Sequence, residues 1–309
     1  MNFRDTVLNG RTILSEGSVV ERVKRSNPEL IDDRLSNSVM IYSREGNSLL
    51  ETLYRQYIDI AVKHDLPVII LTPTWRASRQ RLGESGYLDR DVNGDNFRFL
   101  EGIRRSYGSF SPKIFIGGLM GCANDAYKPE EALNYSDALS FHNYQIDALA
   151  RAGVDFLLAA TLPEINEASA IAELMSRTGL PYIISFVTGK NAAVLDGTTL
   201  FDAIKMIDGS TRPSPFFYMA NCVHPSSFIK NACQLEDAFK TGRFRGIQAN
   251  ASRKSPDELD GLAELDAEDP EELSDSIIKL CSIGGLVVLG GCCGTDDRHI
   301  EAIASKLII

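Results

Sequence analysis

The sequence contains no uninterrupted apolar run near the roughly 20 residues that a membrane-spanning helix needs. Its opening, Met1-Asn2-Phe3-Arg4-Asp5, lacks the apolar core of an export signal, so a cytoplasmic location is the expectation. Basic residues are in deficit, with 32 Lys+Arg against 42 Asp+Glu and a net charge of -10. That balance argues against binding a nucleic-acid backbone as the main activity and leaves room for a small anionic ligand. Short repeats, low-complexity tracts and Pro/Ser-rich linkers are missing. So is a G-x-G-x-x-G after the first apolar run, which counts against a dinucleotide-binding open sheet. Tryptophan occurs once, at Trp75. Six cysteines in 309 residues are an even number, yet a chain this long needs no staples to fold.

What is present is a regular alternation. Short apolar runs at 12–15, 67–72, 113–117, 155–159, 182–186, 216–220, 245–249 and 286–290 read as strands buried on both faces of a parallel sheet. Val39 to Tyr42 is a further apolar run, assigned to the first connection. Helical spacing fills the gaps: Leu49, Leu50, Leu53, Tyr57, Ile60 and Ala61 precede the second strand, and Leu139, Tyr144, Ile146, Leu149 and Ala150 the fourth. Ala168 to Met175 precedes the fifth and stops at Gly179-Leu180-Pro181; Leu273, Ile277, Ile278 and Leu280 precede the eighth and stop at Gly284-Gly285. Thr295 is placed to cap the last helix. Eight strand-helix units predict a single (β/α)8 TIM-barrel domain over residues 1–309, an α/β fold. The acidic stretch from Asp257 to Glu272 reads as a solvated loop or helix face.

In such a barrel, chemistry gathers at the C-terminal ends of the strands. Cys222 follows the sixth apolar run, in Asn221-Cys222-Val223-His224-Pro225, and Cys292-Cys293 follow the eighth, between Gly291 and Gly294. Three thiols then meet on one rim. Three thiolates suit a borderline metal, Zn²⁺ before others, with a fourth position open to water or substrate. A substrate thiol in that position would be held as thiolate near neutral pH, below the usual thiol value near 8.5. Cys122, Cys233 and Cys281 read as small core residues. His224 reads as a loop or core histidine rather than a fourth ligand, and His64, His142 and His299 fall in helical patterns without a site signal.

The motifs Asn221-Cys222 and Gly290-Gly291-Cys292-Cys293-Gly294-Thr295 resemble those of the zinc-dependent homocysteine S-methyltransferases. Weaker echoes span nearly the whole chain: Ile13 to Gly17, Thr72 to Ser78, Ala152 to Asp155 and Ile184 to Phe186. The resemblance implies a TIM barrel in which Cys222, Cys292 and Cys293 hold Zn²⁺ and homocysteine is methylated to methionine. It implies a site for the acceptor thiol and the methyl donor built from Glu16, Gly17, Thr72, Trp75, Arg76, Thr161, Ser185 and Asn221. Candidate donors are S-methylmethionine, a betaine, another sulfonium or a corrinoid methyl carrier. The implied partners are small molecules, and a homo-oligomer fits the same reading.

The chain departs from the family pattern at two acids. Ser15-Glu16-Gly17 stands where Asp-Gly-Gly is usual, and Ala160-Thr161 where Glu-Thr is usual. Those acids help hold the amino-acid end of homocysteine, and a buried ammonium without a carboxylate is costly. Glu16 and Glu164 are the candidates to replace them; otherwise the acceptor is a thiol without that ammonium. Trp75 reads either as a cation–π face for a cationic donor or as packing at a strand end. Arg76 reads either as a carboxylate clamp or as a solvated surface arginine. A zinc- or thiol-binding protein without catalysis is the reading from another class.

Overall fold

The computed structural model describes residues 2–254 and 266–307. Eight parallel strands close into a barrel in chain order: β1 (Ile13–Ser15), β2 (Val68–Leu71), β3 (Ile114–Met120), β4 (Phe156–Leu162), β5 (Tyr182–Phe186), β6 (Phe217–Val223), β7 (Phe244–Ala249) and β8 (Val288–Gly291). All eight predicted strands are present, and the fold is the expected (β/α)8 barrel. The run at Val39–Tyr42 forms a 3₁₀ turn, Met40–Tyr42, inside the first connection.

The strands are almost wholly buried because each has two apolar faces. Ile13, Ile69, Leu71, Phe115, Phe156, Leu158, Ile183, Phe217, Met219 and Val288 pack together inside the barrel. The alternate positions, such as Leu14, Ile70, Ile116, Leu157, Ile184 and Ile247, join the larger core under the helices. Bulky rings inside need small neighbours. A Cβ on Gly117 would lie 2.6 Å from Phe156 and 2.7 Å from Leu71.

The floor is closed by α1 (Phe3–Leu8), which drops Phe3 and Val7 into the interior cluster. The Phe3 ring stacks on Phe156 at 4.1 Å and meets Phe115 edge-on at 5.5 Å. The outer helices follow the predicted periodicity. Arg44–Lys63 starts at Ser43, whose hydroxyl accepts from the Gly46 N–H, and buries Leu50, Leu53, Tyr54, Tyr57 and Ile58. Tyr135–Ala152 stops at Gly153, whose φ of 97° a side chain would disfavour.

Three details differ from expectation. The last helix, Asp297–Lys306, is capped by Asp296 in a box with His299, not by Thr295. Thr295 is fully buried, and its hydroxyl donates to the Cys292 carbonyl at 2.7 Å. Cys233 is exposed in the turn between two short helices rather than in the core, and Cys281 is only half-buried. Of the acidic stretch, residues 257–265 lie outside the described residues. Beyond them, Asp266 meets Lys254, Glu268 meets His224, and Asp269 caps the helix Pro270–Gly284.

The floor plug gives a direct test. Replacing Phe3 with Ala removes a buried ring from a close-packed cluster. It is expected to destabilise the protein by about 3 kcal/mol, read as a lower urea midpoint at unchanged slope.

Candidate active site

Parallel strands deliver all eight C-terminal ends to one rim, opposite the α1 floor. Sequence reasoning ends the sixth strand before Cys222. In the structure β6 continues to Val223, because Asn221 pairs with Gln248 and Val223 with Ala249. Cys222 is the residue skipped by that pairing, and its φ is 55°. The bulge turns its side chain toward the β8 loop. The same device recurs on β4, where the register shifts between Ala159 and Leu162 and Thr161 has a φ of 63°. A non-glycine residue in this region costs about 1–3 kcal/mol and persists only where its surroundings over-determine it.

Those surroundings are built by Asn221. Its Oδ1 accepts from the Thr161 N–H at 2.9 Å and from the Ser185 hydroxyl at 2.7 Å. Its Nδ2 donates to Thr161 Oγ1 at 2.9 Å and reaches Cys222 Sγ at 3.3 Å. One amide thus joins β4, β5 and β6 beneath the thiol. Below the same rim, buried Gln248 donates to Ser15 Oγ at 3.0 Å and ties β7 to β1.

The β8 loop brings the other two thiols. Its path is fixed by bonds from Cys292 N–H to the Ala249 carbonyl at 2.7 Å and from Ala251 N–H to the Cys293 carbonyl at 3.0 Å. Gly294 turns the loop with a φ of 80°, and its N–H donates to the Glu21 carboxylate. The Cys222 and Cys292 sulfurs approach to 2.7 Å, and Cys292 and Cys293 to 4.0 Å. All three sulfurs lie within 4.8 Å of one another, the only such cluster of potential metal ligands among the described residues. Zinc–sulfur bonds of about 2.3 Å in a tetrahedron set sulfurs about 3.8 Å apart, so the donor set and spacing suit Zn²⁺, with Cys222 and Cys292 drawn closer than that edge.

Ionisation in this cluster is unequal. Hydrogen bonds from Cys292, then Cys293, hold the Cys222 thiol well below its usual range, against the cost of burial. Cys292 and Cys293 are pushed up, first by donating to Cys222. One sulfur ionises readily; three do so only beside a cation.

A cavity of about 150 Å³ opens beside Cys222, lined by Tyr127, Val187, Thr188, His224 and Asn250 and rimmed by Lys190, Arg253 and Lys254. Tyr127 was not singled out in the sequence. It sits on the loop after β3 and lines the cavity beside Cys222, whose negative charge pushes the Tyr127 phenol up. The only sequence signal was an aromatic residue in a loop at the functional rim. His224 lines the cavity but caps the helix Pro225–Lys230 and bonds Glu268 at 2.9 Å, outside the sulfur cluster.

The other predicted residues divide clearly. Asn221, Thr161 and Ser185 gather under Cys222. Thr72 is buried at the end of β2, bonded to Thr74 and the Leu119 N–H. Gly17 packs against Tyr57, whose hydroxyl would lie 2.8 Å from a Cβ there. Trp75 and Arg76 lie outside the cavity beside Cys222. The Arg76 guanidinium covers the indole at 4.0 Å and donates to the carbonyls of Cys122 at 3.0 Å and Asn124 at 2.8 Å. It pins the loop that carries Tyr127. Glu167 and His142, both fully buried and 2.7 Å apart, pin the same loop, with Glu167 accepting from the Ala123 and Leu133 N–H groups. Glu164 caps the helix that follows β4. Glu16 accepts from the Leu71 N–H at 2.9 Å, and burial pushes its carboxyl up to about 8 despite that bond.

Comparisons with known proteins agree with the fold. The sequence profile of a family described as homocysteine S-methyltransferase matches residues 13–307. A homocysteine S-methyltransferase of Escherichia coli (strain K12) is 25% identical over 307 residues, covering 95% of this chain and 94% of the relative. Homocysteine S-methyltransferase YbgG of Bacillus subtilis (strain 168) is 31% identical over 58% of this chain and 55% of its own length. A selenocysteine Se-methyltransferase of Brassica oleracea var. italica is 26% identical over 54% of this chain, and the match spans only 48% of that relative. With 51% of a Zea mays relative also matched, the chain spans about half the length of the plant relatives it resembles. The crystal structure of the metallated form of the homocysteine methyltransferase MmuM from Escherichia coli superposes with a TM-score of 0.74 at 17% identity, over 97% of this chain and 98% of that one. That likeness concerns the fold.

Two measurements test the geometry. Asn221→Ala strands the Thr161 N–H and Ser185 hydroxyl; it is expected to cost about 1–3 kcal/mol in urea unfolding. It should also weaken zinc binding about 10- to 100-fold in chelator competition. Glu16 keeps its proton on folding, so its contribution to stability falls as pH rises from 4.5 toward about 8. Glu16→Gln should remove that slope, and unfolding midpoints of the two proteins should diverge between pH 5 and 8, with the variant the more stable at the upper end.

Proposed function

Because this chain belongs to the homocysteine S-methyltransferase family, we propose that it is a zinc-dependent thiol S-methyltransferase acting in the cytoplasm, with homocysteine as acceptor and a sulfonium or betaine as donor. The observation that carries this reading is the convergence of Cys222, Cys292 and Cys293 within 4.8 Å beside a cavity at the functional rim. The three cysteines are the residues that would hold the metal. Zinc, when bound, supplies the positive charge that stabilises sulfur as thiolate.

The chain's own residues then have separable tasks. Asn221 holds Cys222 in its bulged conformation and fixes the direction of its sulfur. Tyr127, on the β3 loop, lines the cavity beside Cys222 and puts its ring on the wall facing the cluster. The buried Glu167–His142 pair fixes the β3 loop beside the cluster. The acceptor sulfur forms its bond to the donor methyl carbon as the donor's carbon–sulfur or carbon–nitrogen bond breaks. The departing sulfide or amine takes the electron pair. The product is methionine when the acceptor is homocysteine.

A second reading concerns the acceptor. Among the described residues the cavity beside Cys222 is lined by no carboxylate, and Arg253 and Lys254 at its rim are paired with Glu268 and Asp266. Glu164 is used as a helix cap, and Glu16 is buried against β2. This lining offers no carboxylate to an ammonium group and favours a thiol that lacks one.

The purified protein is expected to contain about one zinc per chain. Cys292→Ala should lose both the metal and methyl transfer, measured by metal analysis and by product formation from S-methylmethionine. Full turnover without zinc would sink the mechanism. A panel comparing homocysteine with a mercapto-carboxylic acid separates the two acceptors by kcat/KM.

A further inference from the structure

A larger cavity, about 550 Å³, lies at the opposite end of the barrel, around the α1 floor. Its volume is within the range of small-molecule sites. It is lined by three arginines, Arg4, Arg243 and Arg245, and by a single carboxylate, Asp208. Asp208 is already committed. It accepts from Arg243 Nε at 2.8 Å, from Arg243 Nη2 at 2.9 Å and from the Tyr218 hydroxyl at 2.8 Å.

Arg4 and Arg245 have no such partner. Arg4 lies over the Phe216 ring at 5.6 Å and forms no ion pair among the described residues. Arg245 is half-buried, and its guanidinium has no hydrogen-bond or ion-pair partner among them. Arg245 is also set apart by the backbone. Tyr218 pairs with Phe244 and Met219 with Gly246, so Arg245 is the residue left over in a bulge at the start of β7. Such bulges re-aim one side chain without moving the strand. The chain as a whole carries a net charge of -10, so two uncompensated guanidiniums in one concave, proline- and aromatic-walled space are a local feature rather than a general surface trend.

Guanidinium forks match the geometry of oxyanions. We propose that this floor cavity binds a small polyvalent oxyanion, with Arg4 and Arg245 as the recognition pair and Arg243, fixed by Asp208, as a third cationic edge. Phosphate esters and polycarboxylates share this chemistry. Because Arg4 belongs to α1, whose Phe3 plugs the barrel, the bound anion would clamp the plug to β7. The site is independent of the thiol chemistry at the other rim.

The test is titration calorimetry of the zinc-loaded full chain at low ionic strength, with inorganic pyrophosphate in one arm and citrate in the other. Saturable binding of either anion at one site per chain is expected, and the arm that binds tighter names the source. Arg245→Gln and Arg4→Gln should each weaken it at least about tenfold, and Arg245→Lys less. Arg4 is exposed, so Arg4→Gln should keep the unliganded melting temperature and remain a valid probe if Arg245→Gln folds poorly. No saturable binding of either anion up to about 10 mM overturns the proposal. So does binding that survives both substitutions, since it then lies elsewhere.

Discussion

Three sulfurs cannot all be ionised in one buried place unless a cation neutralises them. The rim of this barrel is organised around that constraint. Cys222 carries the negative charge most easily because its two neighbours donate to it, and they in turn resist ionisation. The three sulfurs lie within 4.8 Å of one another, a donor set that suits a three-thiolate metal site. The Asn221 amide and the β8 loop hold sulfur atoms from two strands within reach of one another.

The holding is done by backbone exceptions. A regular β6 would point Cys222 away from Cys292 by the alternation of strand side chains. The bulge at Cys222 and its twin at Thr161 break that alternation, and the Asn221 amide satisfies both exceptions at once. Neither conformation would persist alone, because each is unfavourable for a residue with a Cβ. Asn221 therefore links the strained backbone to the sulfur chemistry: the same side chain that stabilises one directs the other.

Much of this was legible in the sequence, for identifiable reasons. Strands buried on both faces write nearly continuous apolar runs, so the eight units could be counted. The cysteines could be placed because a barrel's strand ends share a rim and glycines flank Cys292 and Cys293. The bulges could not be read, because Asn221-Cys222-Val223 continues a strand-like pattern and pairing across to Gln248 and Ala249 is a tertiary fact. Arg76 was likewise ambiguous: carbonyl groups 46 and 48 residues away decide its direction. Tyr127 belongs to a loop whose composition announces nothing. Cys233 is exposed because its position in a turn, and not its residue type, decides its burial.

The loop after β3 is gripped almost entirely by its peptide groups. Arg76 and Arg81 take carbonyls of residues 122–124, and Glu167 takes the N–H groups of Ala123 and Leu133. Peptide groups are the same whatever side chain is attached. The route of the loop across the mouth is thus insulated from its own sequence. Residues such as Tyr127 can be exchanged without re-laying the chain, so the wall facing the sulfurs can change its chemistry while the three cysteines stay where they are. In this barrel the composition of that wall is structurally separable from the placement of the sulfur cluster.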